Sequence, residues 1–388
     1  MKILMVHPHD LFSKSEPWTI RIKAIAKEFA GRGHEIKLCY FPLDLAGDYT
    51  HRNAYSLELI PLDRTPSPAA FISNTRKLIT LCEWADVVHF QKCHHYASIP
   101  AVIAAYVTGR PLHYDWDDWE EKIWYESCGK GLHSRFIGFS FMVLERWLPV
   151  FADSVSCSSS LLKELAARFG ARPDRIYDSP VGADPETFRP SLNGDSVREK
   201  YGISGDLVLY IGQLHGAQYV DLFLGAAHSV LEIRDDVTFM IVGEGFLEEE
   251  LKRLAHGLGI NEKVIFTGSV PHEEMPYYIA SATVCVAPFK DTEVTRCKSP
   301  LKIVEYLASG KAIVASSVGE VKRMLGGSGV LVPPGDPAAL AEKILMLLED
   351  EGLRESLGVY ARRRAEKKYN WGFTADSILK AYEAICAT

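Results

Sequence analysis

Short runs of β-branched and aliphatic residues alternate with longer amphipathic stretches almost from end to end of this chain. That alternation is the pattern of parallel βαβ units with helices on both faces of a sheet. Two sets are present. The first has strands expected at Lys2 to Val6, Glu35 to Phe41, Val87 to Phe90, Leu112 to Asp115 and Ser154 to Cys157, with helical patterns at about 18 to 32, 68 to 84, 97 to 108 and 134 to 151. The second has strands at Leu207 to Gly212, Val237 to Gly243, Val264 to Gly268, Val284 to Pro288, Ala312 to Ser316 and Val330 to Pro333, with helices at about 219 to 233, 246 to 258, 273 to 281, 300 to 309 and 336 to 350. A chain of 388 residues is too long for one compact core and suits two domains.

Between the sets lies SPVGADPETFRPSLNG, 179 to 194, dense in Pro, Gly, Asp and Ser, which punctuate elements rather than continue them. The boundary is expected near Gly182, giving domains of 1–182 and 183–370, with a helix at about 371–388 packing back onto the first. Two doubly wound sheets joined in this way are expected to leave a cleft at their strand carboxyl ends, where ligands of such folds bind. The tail from Glu351 onward reads as helix. Its basic run, Arg362 to Lys368, is a solvated face or, as the minor alternative, a weak peripheral contact with anionic headgroups.

A hydrophobic fraction of 47% with 24% charged residues excludes a disordered chain or a membrane bundle. Lys plus Arg at 43 against Asp plus Glu at 50 gives a net charge of −7, so no nucleic-acid partner is expected through a global basic field. The opening MKILMV runs straight into His7 and Pro8, which reads as a first strand and not a signal peptide. The longest apolar stretch, Phe136 to Val143, stops at Glu145, well short of the roughly 20 residues that span a bilayer. The eight cysteines are scattered without metal-ligand or disulfide spacing, and reduced thiols in a cytoplasmic protein are expected.

The most informative stretch is RCKSPLKIVEYLASGKAIVAS, Arg296 to Ser316. Ser299 is expected to cap a helix that Pro300 and Leu301 open, because Ser supplies an acceptor and Pro at the first helical position lacks the orphan N–H. Gly310 is expected to close it. The free N–H groups of this helix tip, with Arg296, Lys298 and Lys302 around it, suit a phosphate. Glu305 lies six residues beyond Ser299, roughly 9 Å along the axis, where a carboxylate could grasp a ribose diol. A solvent-facing glutamate paired with Lys302 is the structural alternative.

That segment resembles the donor-site helix of the retaining glycosyltransferases of family four, whose architecture is GT-B, two facing Rossmann-like doubly wound parallel-sheet domains. GHEIKL from Gly33, ADSVSCSSS from Ala152, VGADPETFRP in the linker, LVLYIGQL from Leu207, MIVGEGFLEEEL from Met240 and GVLVPPGDPAALAEKI from Gly329 continue the resemblance over almost the whole chain. It implies transfer of a sugar from a nucleotide-diphosphate sugar to a glycan, lipid-linked or small-molecule acceptor, with retention, without a metal and with the nucleotide sugar as co-substrate rather than a cofactor. Polysaccharide biosynthesis is the setting it suggests. The donor would meet the loop of Gly212, Gln213 and Gln218 and the segment Arg296, Lys298, Ser299, Pro300, Leu301 and Glu305, with Lys298 also serving catalysis.

The chain departs from the family pattern in several places. The first glutamate of the family's Glu-x7-Glu pair falls on Cys297, which reads as a small filler. The positions where the family places Arg and then Lys are Gln213 and Gln218, which supply no net charge against a diphosphate. The first βα loop, HPHDLFSKSEPWTIR, lacks the family's glycine pair, with Arg21 as a stand-in charge partner.

The segment PLHYDWDDWEEKIWYES packs Asp115, Asp117, Asp118, Glu120 and Glu121 into seven residues. Asp117 aligns with a family histidine and is the candidate beside the reacting sugar. Asp118, His94 and Arg21 are acceptor-side candidates. A metal held by the carboxylates ranks lower, and an acidic loop packed by Trp116, Trp119 and Trp124 is the structural alternative. Two other functions stay open: a GT-B sugar-nucleotide epimerase or hydrolase, and a non-catalytic GT-B scaffold subunit.

Overall fold

The computed structural model describes residues 1–13, 18–44, 57–127 and 131–387. It divides into two compact units, Met1–Pro180 with Trp371–Thr388, and Val181–Asn370. Each is built on one sheet whose paired strands are all parallel.

The first unit contains β1 (Lys2–Val6), β2 (Glu35–Tyr40), β3 (Glu58–Pro61), β4 (Val87–Gln91), β5 (Leu112–Trp116), β6 (Ser154–Cys157) and β7 (Ile176–Asp178), in the order β3-β2-β1-β4-β5-β6-β7. Strand order reverses between β1 and β4, where Met5 sits level with Leu38 on one side and His89 on the other. In open α/β sheets the loops at the carboxyl side of such a switch point carry ligands. The strands β4, β5 and β6 are buried along their whole length, as parallel strands covered by helices on both faces must be. Two short edge strands, β3 and β7, and the helices Glu120–Ser127 and Ser160–Arg168 have no counterpart in the sequence expectations. Edge strands of three or four residues show too few alternations to stand out from loop.

The second unit contains β8 (Leu207–Ile211), β9 (Thr238–Val242), β10 (Val264–Phe266), β11 (Val284–Ala287), β12 (Ala312–Ser316) and β13 (Val330–Val332), ordered β10-β9-β8-β11-β12-β13. Here the switch point lies between β8 and β11. The helix Leu301–Ala308 is internal: every residue from Lys302 to Ala308 is buried, including the charged Lys302 and Glu305. Its start corrects one expectation. Pro300 and not Ser299 is the N-cap, no side chain caps it, and Ser299 Oγ instead points to Met324 Sδ at 3.9 Å. Proline's fixed φ of −70° with extended ψ sets the entry, so the serine one residue earlier is too far from the first turn to accept from it. Gly310, at φ +62°, follows the helix end as expected and leads into β12.

The tail is helical in two pieces. Glu351–Lys368 belongs to the second unit and Trp371–Cys386 to the first. The latter is tied in by Tyr382 Oη, 2.6 Å from His89 Nδ1, and by Thr374 Oγ1 donating to the Pro180 carbonyl at 2.7 Å. Within the basic run, Arg362 donates to the carbonyls of Pro185, Phe188 and Ala308, each at 2.8 Å, and Arg364 to those of Met324 and Arg323. Those two arginines therefore anchor the helix to its own unit. Among the described residues no helix is long and apolar enough to cross a membrane.

Candidate functional site

Two clusters of polar residues stand at strand carboxyl ends, one in each unit. In the second unit β8 runs into Gly212, whose φ is +152°. A Cβ there would lie 2.7 Å from Lys302 Nζ and 2.9 Å from Tyr210 Oη, so the glycine leaves room for the ammonium beside the strand end. Gly243, just after β9, is needed for a different reason: a Cβ would lie 2.0 Å from the Gly212 carbonyl oxygen.

Lys302 is only 8% exposed. Its Nζ donates to Gln218 Oε1 at 3.2 Å and sits 4.1 Å from the centre of the Tyr210 ring. Burial, with Lys298 adding to it, holds this lysine well below its usual range. Gln218 Oε1 also accepts from Tyr210 Oη at 3.4 Å, and its amide nitrogen lies 3.4 Å from His215 Nε2. His215 is pushed down to about 4 by burial, then by Lys298 and Lys302, so it stays neutral near pH 7. The loop of Gln213 and Gln218 carries no cation, but one reaches it from the helix Leu301–Ala308.

Glu305 is 3% exposed, which rules out the solvent-facing alternative. Its Oε1 lies 2.7 Å from His272 Nε2, and Lys302 is not its hydrogen-bonding partner. Arg296 lies on the short helix Glu293–Cys297 and is committed to Asp291 through two hydrogen bonds, Nε to Oδ1 at 2.6 Å and Nη2 to Oδ2 at 2.9 Å. Lys298 ends that helix, half-buried. Cys297 is buried, in keeping with its reading as filler.

In the first unit Asp117 follows β5 directly. Gln91, the last residue of β4, donates from Nε2 to Asp117 Oδ2 at 2.8 Å, and its Oε1 lies 2.8 Å from His7 Nδ1. An imidazole, an amide and a carboxyl are thus connected in series across three strand ends. Lys92 comes next in the chain at φ +65°, left-handed backbone that a non-glycine residue rarely adopts. Its ammonium lies 2.6 Å from Glu120 and 3.3 Å from both Asp117 and Asp118. Burial alone would lower Lys92, but Asp117, Glu120 and Asp118 outweigh it and hold the lysine well above its usual value. Burial pushes Asp117 up to about 7, against the opposing pull of Lys92 and with Asp118 and Asp115 adding to the rise. Asp117, Asp118 and Glu120 each offer an oxygen within 4.8 Å of the others, a set able to hold a cation, and Lys92 already supplies one.

Glu145 fixes this loop. Its carboxylate accepts from the Glu120 N–H at 2.7 Å, the Glu121 N–H at 3.2 Å and Trp116 Nε1 at 3.3 Å, capping the helix Glu120–Ser127 from a neighbouring helix. Asp117 and Asp118 thus lie in the short loop after β5, and Glu120 and Glu121 open the capped helix. Arg21 is buried against Asp115, with bonds of 2.8 and 2.7 Å, and donates further to Ser179. Burial opposes ionisation of Asp115, but Arg21 holds it well below the usual carboxylate range. The expected acceptor-side role of Arg21 meets a guanidinium directed into the sheet end. His94 is half-buried at the start of the helix His95–Thr108, packed by ring against His9 at 4.9 Å and Phe141 at 5.1 Å, and desolvation of the ring holds it well below its usual value.

Gln91, Lys92, His7, Glu145 and His272 were not among the expected site residues, and Lys302, expected beside a phosphate at the helix tip, was not expected to reach Gln218. Glu145 had left a trace, as the one acid in an apolar helical run. The others need the strand ends to be brought side by side before they mean anything.

The two sheets, each with its switch point, make this a two-unit α/β protein of the GT-B fold, and solved structures agree. The chain is similar to HepE of Anabaena, solved in complex with UDP and glucose, with a TM-score of 0.78 and 18% identity over 99% of this chain and 100% of that one. It is also similar to WaaG, a glycosyltransferase involved in lipopolysaccharide biosynthesis, at TM-score 0.69 and 18% identity over 99% of each chain. Residues 205–350 match the family described as glycosyl transferases group 1, and residues 19–180 match the glycosyl transferase 4-like domain. The chain belongs to the group 1 glycosyl transferases.

Among its relatives, D-inositol 3-phosphate glycosyltransferase 1 of Catenulispora acidiphila is 31% identical over 234 residues, which are 57% of this chain and 54% of that protein. Phosphatidyl-myo-inositol mannosyltransferase of Mycobacterium leprae is 33% identical over 216 residues, 54% of this chain and 56% of that protein. The match thus spans about half the length of these relatives.

Proposed function

We propose that this protein transfers a sugar from a nucleotide-diphosphate sugar to an acceptor, with retention of configuration and without a metal ion. The observation that carries the reading is the ammonium of Lys302 beside Gly212, with buried Glu305 one turn further along the same helix. A departing diphosphate needs positive charge and N–H donors fixed in advance, because preorganised groups stabilise the developing charge without reorganising. Lys302, Lys298 and the first N–H groups of the helix Leu301–Ala308 are of that kind. Lys302 would supply the charge that Gln213 and Gln218 do not, because a diphosphate beside it favours the protonated amine against the burial and the Lys298 charge that lower it. Glu305 would accept from the two ribose hydroxyls, with His272 steadying its other side.

In the first unit we assign Asp117 to the reacting sugar, where its carboxylate form would stabilise positive charge at the anomeric carbon. Asp118 and His94 belong to the acceptor side, His94 as a neutral packing surface. Lys92 does for the three carboxylates what a divalent cation would otherwise have to do, which favours metal-independent chemistry. The names of relatives and neighbours favour the same reading: HepE was solved with UDP and glucose, and the Mycobacterium leprae relative is a mannosyltransferase. Seven free cysteines among the described residues fit a cytoplasmic setting, and polysaccharide or glycolipid synthesis is the pathway class we favour.

Thermal-shift screening with UDP-, GDP-, dTDP- and CMP-sugars identifies the donor, and calorimetry with the nucleotide that shifts tests the site. Glu305→Ala should weaken nucleotide binding by roughly 10- to 100-fold, the worth of a charge-assisted hydrogen-bond pair, with the circular dichroism unchanged. Unaltered affinity overturns the assignment. No shift with any nucleotide points to the scaffold function, and turnover of donor with water alone to a hydrolase or epimerase.

A further inference from the structure

The helix Leu132–Phe151 in the first unit is amphipathic in an unusual sense, because its outward face is the apolar one. Gly138, Phe141, Glu145, Leu148 and Pro149 form its buried side. At 3.6 residues per turn, Leu132, Phe136, Phe139, Val143, Trp147 and Val150 fall on a single stripe along the opposite side. Five of these six are exposed, from 52% at Val150 to 86% at Leu132. Phe151, stacked on Trp147 at 6.0 Å between ring centres, widens the stripe at its end. Scattered exposed apolar residues are ordinary on a protein surface, but a continuous stripe the length of a 20-residue helix is not.

The charges beside the stripe indicate what covers it. Arg135 and Arg146 are exposed and lie along one flank, whereas the only acid of the helix, Glu145, is buried on the inner side and bonded to the Glu120 and Glu121 N–H groups. Aromatic and aliphatic side chains on one face with arginine at its edge characterise helices that lie flat at a lipid–water boundary, rings at headgroup level and cations on lipid phosphate. The helix is not apolar enough to cross a bilayer, and its inner side is already packed against protein. We propose that the outward face of the helix Leu132–Phe151 docks onto the surface of an anionic lipid bilayer.

The chain as a whole carries a net charge of −7 and would be repelled by such a surface, so adsorption has to come from a local basic and apolar patch. Flotation of the full chain with phosphatidylcholine vesicles, with and without phosphatidylglycerol, tests this, and no nucleotide is needed. Wild-type protein should float with the anionic vesicles and less with neutral ones. The triple variant Phe136→Ser, Phe139→Ser, Trp147→Ser should lower the partition coefficient by about ten-fold or more. The pair Arg135→Glu, Arg146→Glu should abolish the preference for anionic lipid while leaving melting unchanged, since both side chains face outward.

Failure of the wild type to float, or equal flotation of the triple variant, overturns the proposal. So does a dimer in sedimentation velocity without lipid that the triple variant dissolves, because the stripe would then meet a second copy of this chain. The basic run at Arg362 to Lys368 is the internal control: charge reversal at the exposed Arg363 and Lys367 should leave flotation intact.

Discussion

Lys92 shows how much one side chain decides. Its backbone is held left-handed, and its ammonium is enclosed by Asp117, Asp118 and Glu120, where three carboxylates without a cation would repel one another. Around Asp117, burial, Asp118 and Asp115 favour the protonated acid, whereas Lys92 and Arg21 favour the carboxylate. The balance leaves Asp117 at about 7, so on the proposed chemistry kcat/KM should rise with pH through that value as the carboxylate forms. Lys92→Met removes the largest influence favouring ionisation, and the limb should move to higher pH, by roughly ten-fold in rate at pH 7 for each unit of displacement. Lys92→Arg should restore much of it. A pH profile unmoved by Lys92→Met would show that the lysine acts on packing alone.

At the level of elements, the carboxyl ends of β8 and β9 come together only because glycine stands at both. The Gly212 N–H donates to the Val242 carbonyl at 2.9 Å, and Gly243 passes so close to the Gly212 carbonyl that no Cβ fits. Gly243→Ala must push the two strand ends apart, since the obstructing atom belongs to backbone and cannot swing away. We expect a loss of about 2 kcal/mol or more, by analogy with overpacked cores, together with weaker nucleotide binding because Lys302 loses its place beside Gly212. Chemical denaturation with calorimetry on the same variant reads both effects, and an alanine variant of wild-type stability would contradict the close approach.

For the whole molecule, the notable feature is that the first unit is discontinuous in sequence. The helix Trp371–Cys386 returns to it after the chain has completed the second unit, and it brings Ala375, Ile378, Ala381, Tyr382 and Ile385 into burial there. The unit cannot bury its own core from residues before Pro180 alone. Truncation after Asn370 should therefore strip the first unit of its closing helix and expose its apolar faces, while the second unit, Val181–Asn370, keeps its own core. Calorimetry of the truncated chain should show loss of one transition and retention of another. Two unchanged transitions would mean that the returning helix is dispensable.

The sequence by itself determined the longer strands and helices of both units, the strand β12 to the residue, and Glu305 as a candidate, because periodicity and capping chemistry are written in neighbours along the chain, whereas the short edge strands β3 and β7 left no such pattern. It also exposed the missing charges at Gln213 and Gln218. That Lys302 reaches Gln218, that Lys92 lies among the acids, that Arg21 is locked to Asp115, and that Ser299 caps nothing were decided by tertiary structure. These facts depend on residues tens of positions apart meeting at strand ends, and on burial, which turns an ordinary lysine or aspartate into one with an altered affinity for its proton. Local pattern says nothing of either.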